Sequence, residues 1–226
     1  MASTAGRSGG TPGIRRQRAL QTRRRMVEAA YHLFCQRGYA ATTMTDIADL
    51  SGVAVQTLYF TFRTKGAILG EALGAAVVGF NAWMGPPAEP PDAQTLTGLL
   101  DWYHDFAASP SSREALRIFV DNGIAVLHRV APLQAAMHAA SADTDAAVIE
   151  VGEQRRIDTF RRVAAGLASK GDLRPGVDEA RATDLLLVLF SAEVYQALTA
   201  GRSWSHAECK GFLLDLLTQQ LLPSEP

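Results

Sequence analysis

Gln56 and Thr57 stand just after Ser51-Gly52-Val53 and just ahead of Leu58-Tyr59-Phe60-Thr61-Phe62. A glutamine amide bonds adenine N6 and N7 in a bidentate way, and a threonine offers its methyl to thymine or its hydroxyl to a base or phosphate. Val55, immediately before them, can pack on a thymine methyl. Thr43, Tyr59 and Lys65 carry donors suited to phosphate oxygens, and Lys65 lies near the start of a predicted helix, whose N-terminus itself favours anions. Chemistry of this kind works only on a frame: a short scaffold helix, a tight turn, and a second helix whose first residues reach base edges.

The sequence supplies that frame. Thr43-Met44-Thr45-Asp46 has the form of a capping box, with Thr43 as N-cap and Asp46 three residues on. The helix it starts is short, because Ser51-Gly52 interrupts it. Gly52 can adopt the left-handed conformation that the turn demands. Ala48 is small where two helices must approach, and Val53 and Leu58 can fill the wedge between them. A third helix then carries Val55 to Phe62, and Thr64 caps a fourth that runs through Ile68, Leu69, Leu73, Val77 and Phe80. Ahead of these, Val27, Ala30, Leu33 and Phe34 repeat at helical spacing, and Gly38 follows Arg37 as a helix C′ glycine would. The first helix is therefore expected from about Gln21 to Arg37.

Charge separates this head from the rest. Residues 1–66 carry ten Lys or Arg against Glu28, Asp46 and Asp49, a net of +7, while the remainder is net −8, so that the whole chain of 226 residues is −1. A basic front on an acidic body is the footprint of a polyanion bound at one end only. Residues 1–14 are rich in Gly, Ser, Thr and Ala, and residues 1–20 read as a disordered basic leader. The arginines before the first helix are either a solvated tail or an arm that reaches the minor groove or flanking phosphates; Arg24 and Arg25 are expected at phosphates.

Beyond Gly85-Pro86-Pro87 and Pro90-Pro91 the pattern stays helical, with candidate helices at 93–108, 111–128, 133–140, 144–170, 177–200 and 205–222. The breaks are Pro110, Pro132, Gly171 with Pro175-Gly176, and Gly201. No segment alternates as a strand does. The fold class is all-α: a three-helix helix-turn-helix head over 21–66 and a helical bundle over 67–226, about nine or ten helices in all.

Gly38-Tyr39, Thr42-Thr43-Met44-Thr45-Asp46-Ile47-Ala48, Ser51-Gly52-Val53 and the run from Thr57 to Lys65 form an ordered set that resembles the tetracycline-repressor (TetR) family of bacterial regulators over residues 22–70. The resemblance implies a homodimer with an all-helical body, a palindromic double-stranded DNA operator, and a small-molecule effector held in the body. It places Thr45, Val55, Gln56 and Thr57 at bases, and Thr43, Tyr59 and Lys65 at phosphates. Members often begin the reading helix with Ser followed by Lys or Gly; here Ala54, Val55 and Gln56 stand there, and an alanine N-cap costs roughly 1 kcal/mol relative to serine. A weaker likeness in the C-terminal part, around Asp184 to Leu186, Glu193 to Tyr195 and Gly201 to Ser205, implies dimerisation through helices near 144–170 and 177–200. By the same resemblance the effector pocket is expected at Trp102, Phe106, Phe119, Asn122, Phe160 and Tyr195. The mechanism so implied is a ligand-responsive repressor; an activator with the same head, or a helical carrier or enzyme, are the alternatives.

Other chemistries find little footing. Cys35 and Cys209 are far apart and outside any CxxC or Cys/His cluster, which fits a reducing cytoplasm. His104 and His128 lack a second ligand at i+3 or i+4, so neither metal nor cofactor is expected. Asp101 and Asp105 share a helix face but read as solvated, and no phosphate loop or nucleophile elbow appears. The longest apolar run, Leu185 to Phe190, is far short of the ~18 residues of a membrane span.

Overall fold

A computed structural model describes residues 12–86, 101–138, 146–171 and 173–224. Among these residues the chain is all-α, with ten helices: α1 Pro12–Arg37, α2 Met44–Ser51, α3 Val55–Phe62, α4 Lys65–Val78, α5 Asp101–Ala108, α6 Ser112–His138, α7 Ala146–Ala168, α8 Glu179–Leu189, α9 Ala192–Arg202 and α10 His206–Leu221.

Three boundaries differ from the sequence expectation. Helix α1 begins at Pro12, not Gln21. Proline is well placed in a first helical turn, and Ile14 to Leu20 is rich in Arg, Gln, Ala and Leu, which all sustain helix. Helix α6 runs straight through Pro132, where a break was expected. Pro132 offers no N–H to the carbonyl of His128, and neighbouring carbonyls are served by side chains instead: Tyr31 donates to Arg129 O at 2.8 Å, and the Gln196 amide donates to Ala131 O. The stretch expected as one helix over 177–200 is two, because Ser191 accepts from Val194 N–H and starts a new helix after Phe190. For the helix expected over 93–108, residues 93–100 lie outside the described residues, as do Ala139 and Ala140 of the helix expected over 133–140.

The caps explain most other boundaries. Thr43 and Asp46 form the expected capping box on α2, and Ser205 and Glu208 form a second on α10. Thr64 and Asp178 accept from the third residue of α4 and α8, respectively. Gly79, at φ +93°, closes α4.

Two apolar cores result. In the head, Val27, Ala30 and Phe34 of α1 pack with Ile47, Leu58, Phe62, Ile68 and Leu69. Leu133 and Met137, from the far end of α6, are buried in this same core. The body core gathers Phe106, Leu116, Phe119, Phe160, Leu167, Leu186, Phe190 and Leu213. Helix α6 therefore belongs to both, and Pro132 marks the handover.

Candidate functional site

The turn between α2 and α3 has the geometry that its residues predict. Gly52 sits at φ +68°, ψ +38°, and its N–H is shared between Ala48 O and Asp49 O. Val53 N–H then donates to Ala48 O at 3.0 Å, closing the turn. Ala48 and Leu58 are fully buried where α2 and α3 meet. Helix α3 starts at Ala54 with no side-chain cap, as the absence of Ser, Thr, Asp or Asn there predicts.

This packing leaves one face of α3 clear. Gln56 and Thr57 are exposed at its N-terminal end, Val55 is half-buried, and Thr45 is exposed on α2. Leu58 and Phe62, one turn apart, turn inward. Phe60 lies between them in sequence and so points the other way; it is 90% exposed. Sequence reading passed over Phe60, although the i, i+4 spacing of Leu58 and Phe62 places residue 60 on the opposite side of the helix. Phe60 follows Gln56 by four residues and shares its face.

The phosphate candidates divide. Thr43 and Tyr59 are exposed, and Thr43 Oγ1 also accepts from Asp46 N–H at 3.1 Å. Asp46 Oδ2 in turn accepts from the Thr43 hydroxyl at 2.5 Å and from Thr43 N–H at 2.8 Å; these two bonds, the hydroxyl's first and the backbone's second, hold the Asp46 carboxyl below the usual carboxylate range. Lys65 is committed internally: its ammonium donates to Tyr39 O at 2.8 Å and Thr42 O at 3.0 Å and lies 4.2 Å from the centre of the Tyr39 ring. It ties the start of α4 to the segment before α2, so its position is that of a brace and not of an outward-facing phosphate donor. Arg24 is likewise turned inward, donating to Asn81 O at 3.1 Å and Trp83 O at 2.7 Å beyond the end of α4. Arg25 is exposed on α1. Arg23 forks onto Glu71 of α4, with Nε to Oε2 at 2.7 Å, and its guanidinium lies 4.9 Å from the Phe62 ring, locking α1, α3 and α4 together.

In the body, four of the six expected pocket residues come together. Trp102 sits edge-on to Phe106 at 6.2 Å and to Phe119 at 6.1 Å, and Phe119 meets Phe160 at 5.8 Å. Phe190, not expected there, joins at 4.9 Å from Phe119. Two glycines admit these rings against helix backbone: a Cβ on Gly123 would fall 2.7 Å from Phe190, and one on Gly166 would fall 2.5 Å from Phe106. Tyr195 is buried in the same core, but its hydroxyl points to His128 and His206. Asn122 is not in the cluster. It is exposed on α6 and donates to Ile118 O in its own helix, because residue 122 falls outside the buried stripe formed by Leu116, Val120, Gly123 and Leu127.

The comparisons with known proteins fit this geometry. A family model described as bacterial regulatory proteins, tetR family, matches residues 26–72, from mid-α1 to α4. Over these residues the head is similar to that family. The regulator TtgR of Pseudomonas putida is 39% identical over 54 residues, which is 24% of this chain and 26% of that protein. The match thus spans about a quarter of the length of the curated relatives. The likeness in fold is far wider. A protein from Saccharomonospora viridis, solved in complex with choline, superposes with a TM-score of 0.65 at 20% identity, covering 90% of this chain and 99% of that one. NalD of Pseudomonas aeruginosa, described as the secondary repressor of the MexAB-OprM multidrug efflux pump, superposes with a TM-score of 0.55 at 18% identity, covering 92% and 100%. These structures share the all-helical fold over nearly the whole chain, while the sequence likeness lies in the head.

Proposed function

We propose that the chain is a homodimeric, ligand-responsive transcriptional repressor acting in the cytoplasm, with α3 laid in the major groove of a palindromic operator. The observation that carries this reading is the clear face of α3: Gln56 and Thr57 exposed at its N-terminal end, beside Thr45 and behind a Gly52 turn of helix-turn-helix geometry. Thr45, Val55, Gln56 and Thr57 read bases. Thr43, Tyr59 and Arg25 hold phosphates, Lys65 positions the segment ahead of α2, and Phe60 packs on sugar or a thymine methyl.

The dimer reading has support in surfaces left open. The stretch Glu179–Arg202 is apolar and long enough to cross a membrane by length and composition alone, yet it is divided at Phe190-Ser191 and packs Ala182, Leu186 and Tyr195 into the body core. Only 28% of its most apolar window is buried within the chain. Val188 on α8 is 65% exposed, Phe212 on α10 is 40% exposed with Trp204 edge-on to it at 5.4 Å, and Ile149 and Val151 are exposed on α7. Association of α7 and α8 with their mates, joined by α10, covers these side chains. The effector reading rests on the aromatic cluster of Trp102, Phe106, Phe119 and Phe160 and on relatives in fold, one of them solved with choline. An effector there bears on α6, which reaches the head core through Leu133 and Met137.

The test is binding to DNA from upstream of its own gene, followed by selection of genomic fragments. Gln56→Ala is expected to cost roughly 1–3 kcal/mol and to relax preference at one base position. Equal losses on cognate and scrambled DNA would remove the base-reading role, and no retention of the upstream region at low salt would remove the regulator reading.

A further inference from the structure

His128 on α6, Tyr195 on α9 and His206 at the start of α10 meet at one point. Tyr195 Oη lies 3.0 Å from His128 Nδ1 and 3.2 Å from His206 Nδ1. The two imidazoles stand nearly perpendicular with centres 5.5 Å apart, and each is 6.2–6.3 Å from the tyrosine ring. Both histidines are exposed, while the tyrosine is buried. So two Nδ1 atoms from different helices are aimed at one phenol oxygen at the rim of the body.

We propose that His128, His206 and Tyr195 form a site for one imidazole-preferring divalent transition-metal ion, of the zinc, nickel or copper class. In the ion-free chain these two contacts are hydrogen bonds of the Tyr195 hydroxyl, and their spacing is close to that of a coordination shell. Metal–nitrogen bonds of about 2.0–2.1 Å at a tetrahedral angle put neighbouring donors roughly 3.3 Å apart and imidazole centres about 5 Å apart. The His–Tyr donor distances and the His–His ring separation already lie near those values. Ligation through Nδ1 leaves the proton on Nε2, and the exposed rings give the ion an entry path and solvent to complete its shell. Imidazole with an oxygen donor suits this class of ion. The nearest cationic side chains are engaged elsewhere. Lys210, one turn along α10 from His206, is held by Asp121 at 3.0 Å, and Arg129, next to His128, donates to Ala76 O and Val77 O. No group of three His, Cys, Asp or Glu side chains of this kind occurs among the described residues. The third donor here is a phenol and the second histidine comes from another helix, which spacing within one helix does not reveal.

The site's place gives it a consequence. His128 precedes Arg129, whose guanidinium caps the end of α4 at 2.7 Å from Ala76 O. An ion that draws His128 toward α10 bears on the turn of α6 that holds α4, the helix leading into the head. This regulatory half rests on the DNA-binding reading; the site itself does not.

The experiment uses the full chain with no affinity tag. Zinc, nickel and copper(II) chlorides are titrated by calorimetry into wild type, His128→Ala, His206→Ala, Tyr195→Phe and, as control, His104→Ala. Expected is one saturable equivalent per chain, weakened roughly tenfold or more in each of the first two variants, less in the third, and unchanged in the control. Circular dichroism establishes that the exposed-histidine variants stay folded. No saturable binding, or binding by His128→Ala and His206→Ala as tight as that of wild type, overturns the site. Upstream DNA is then titrated with and without the ion, and a shift in affinity that His206→Ala abolishes is expected. Ion binding with unchanged DNA affinity overturns the regulatory half. Failure to bind DNA both with and without the ion overturns the repressor reading and leaves the calorimetric result standing.

Discussion

Lys65→Ala separates a brace from a phosphate contact. The Lys65 ammonium donates to Tyr39 O at 2.8 Å and to Thr42 O at 3.0 Å and lies 4.2 Å from the Tyr39 ring centre. Hydrogen bonds from a charged donor contribute about 1.5–3 kcal/mol each when shielded, and the cation–π contact about 0.5–1 kcal/mol at an exposed site. Lys65 is only half-buried, so water replaces part of what is lost, and the discounted total is about 2 kcal/mol. For a chain of this size each kcal/mol moves Tm by about 2–4 °C, so the variant is expected to melt roughly 4–8 °C lower. The assay is thermal unfolding by circular dichroism together with DNA affinity by fluorescence anisotropy across a salt series. A lysine that neutralises a phosphate contributes about 0.9 to the slope of log affinity against log salt. A brace contributes nothing to that slope. The expected result is a lower Tm and weaker DNA binding with an unchanged slope. An unchanged Tm with the slope reduced by about 0.9 would refute the reasoning and return Lys65 to the phosphates.

Three further outcomes are expected. Gly166→Ala gains about 1 kcal/mol of helix propensity but drives a Cβ to 2.5 Å from the fully buried Phe106 ring, an overpacking that costs about 1–3 kcal/mol; a lower urea midpoint is expected, and a higher one would show that the ring yields freely. Phe60→Ser should change stability by less than about 0.5 kcal/mol, since the ring is 90% exposed, while weakening operator binding; unaltered DNA affinity would take Phe60 out of the interface. Asp46 has its folded carboxyl held low by Thr43, so its capping contribution is present above the ordinary aspartate range and is lost as pH falls through that lowered value. Wild type should therefore lose Tm on acidification more steeply than Asp46→Asn, and parallel Tm–pH curves would count against the cap.

The head was legible because each of its features is local. A capping box, a glycine with positive φ and an i, i+4 apolar pair are fixed by residues within one or two turns of one another, so Thr43, Gly52, Leu58 and Phe62 stand where their types predict. What escaped depends on partners distant in sequence. Pro132 reads as a break until Tyr31 and Gln196 are seen to serve the carbonyls beside it, from 98 and 65 residues away along the chain. Lys65 and Arg24 read as free cations until the carbonyls of Tyr39, Thr42, Asn81 and Trp83 are brought beneath them. Asn122 reads as a polar group inside an apolar helix, and only the placement of Phe119 and Gly123 against Phe190 decides which side of α6 is the inner one. Phe60 is the exception: its outward direction follows from the spacing of Leu58 and Phe62 alone.

The end of α4 is where the head and the body exchange force. Its last carbonyls receive the Arg129 guanidinium from α6, at 2.7 Å to Ala76 O and 3.2 Å to Val77 O, and the turn after it receives Arg24 from α1. Arg129 in turn accepts, through its own carbonyl, the hydroxyl of Tyr31 on α1. Burial first, and Cys35 second, push the Tyr31 phenol up to about 12, so it stays protonated and remains a donor across the physiological range. One residue thus touches α4 with its side chain and α1 with its backbone, one helical turn before Pro132 and just before the residues that α6 contributes to the head core. Arg129 thus couples α6 to α4 and to α1 at once, because both bonds start from the same residue. Since Arg23 locks α1 to both α3 and α4, the four-helix head is moved as a unit. On the dimeric reading proposed above, this geometry favours regulation by reorienting whole heads over regulation by unfolding α3 in place, a distinction that spacing-shifted operators would read directly.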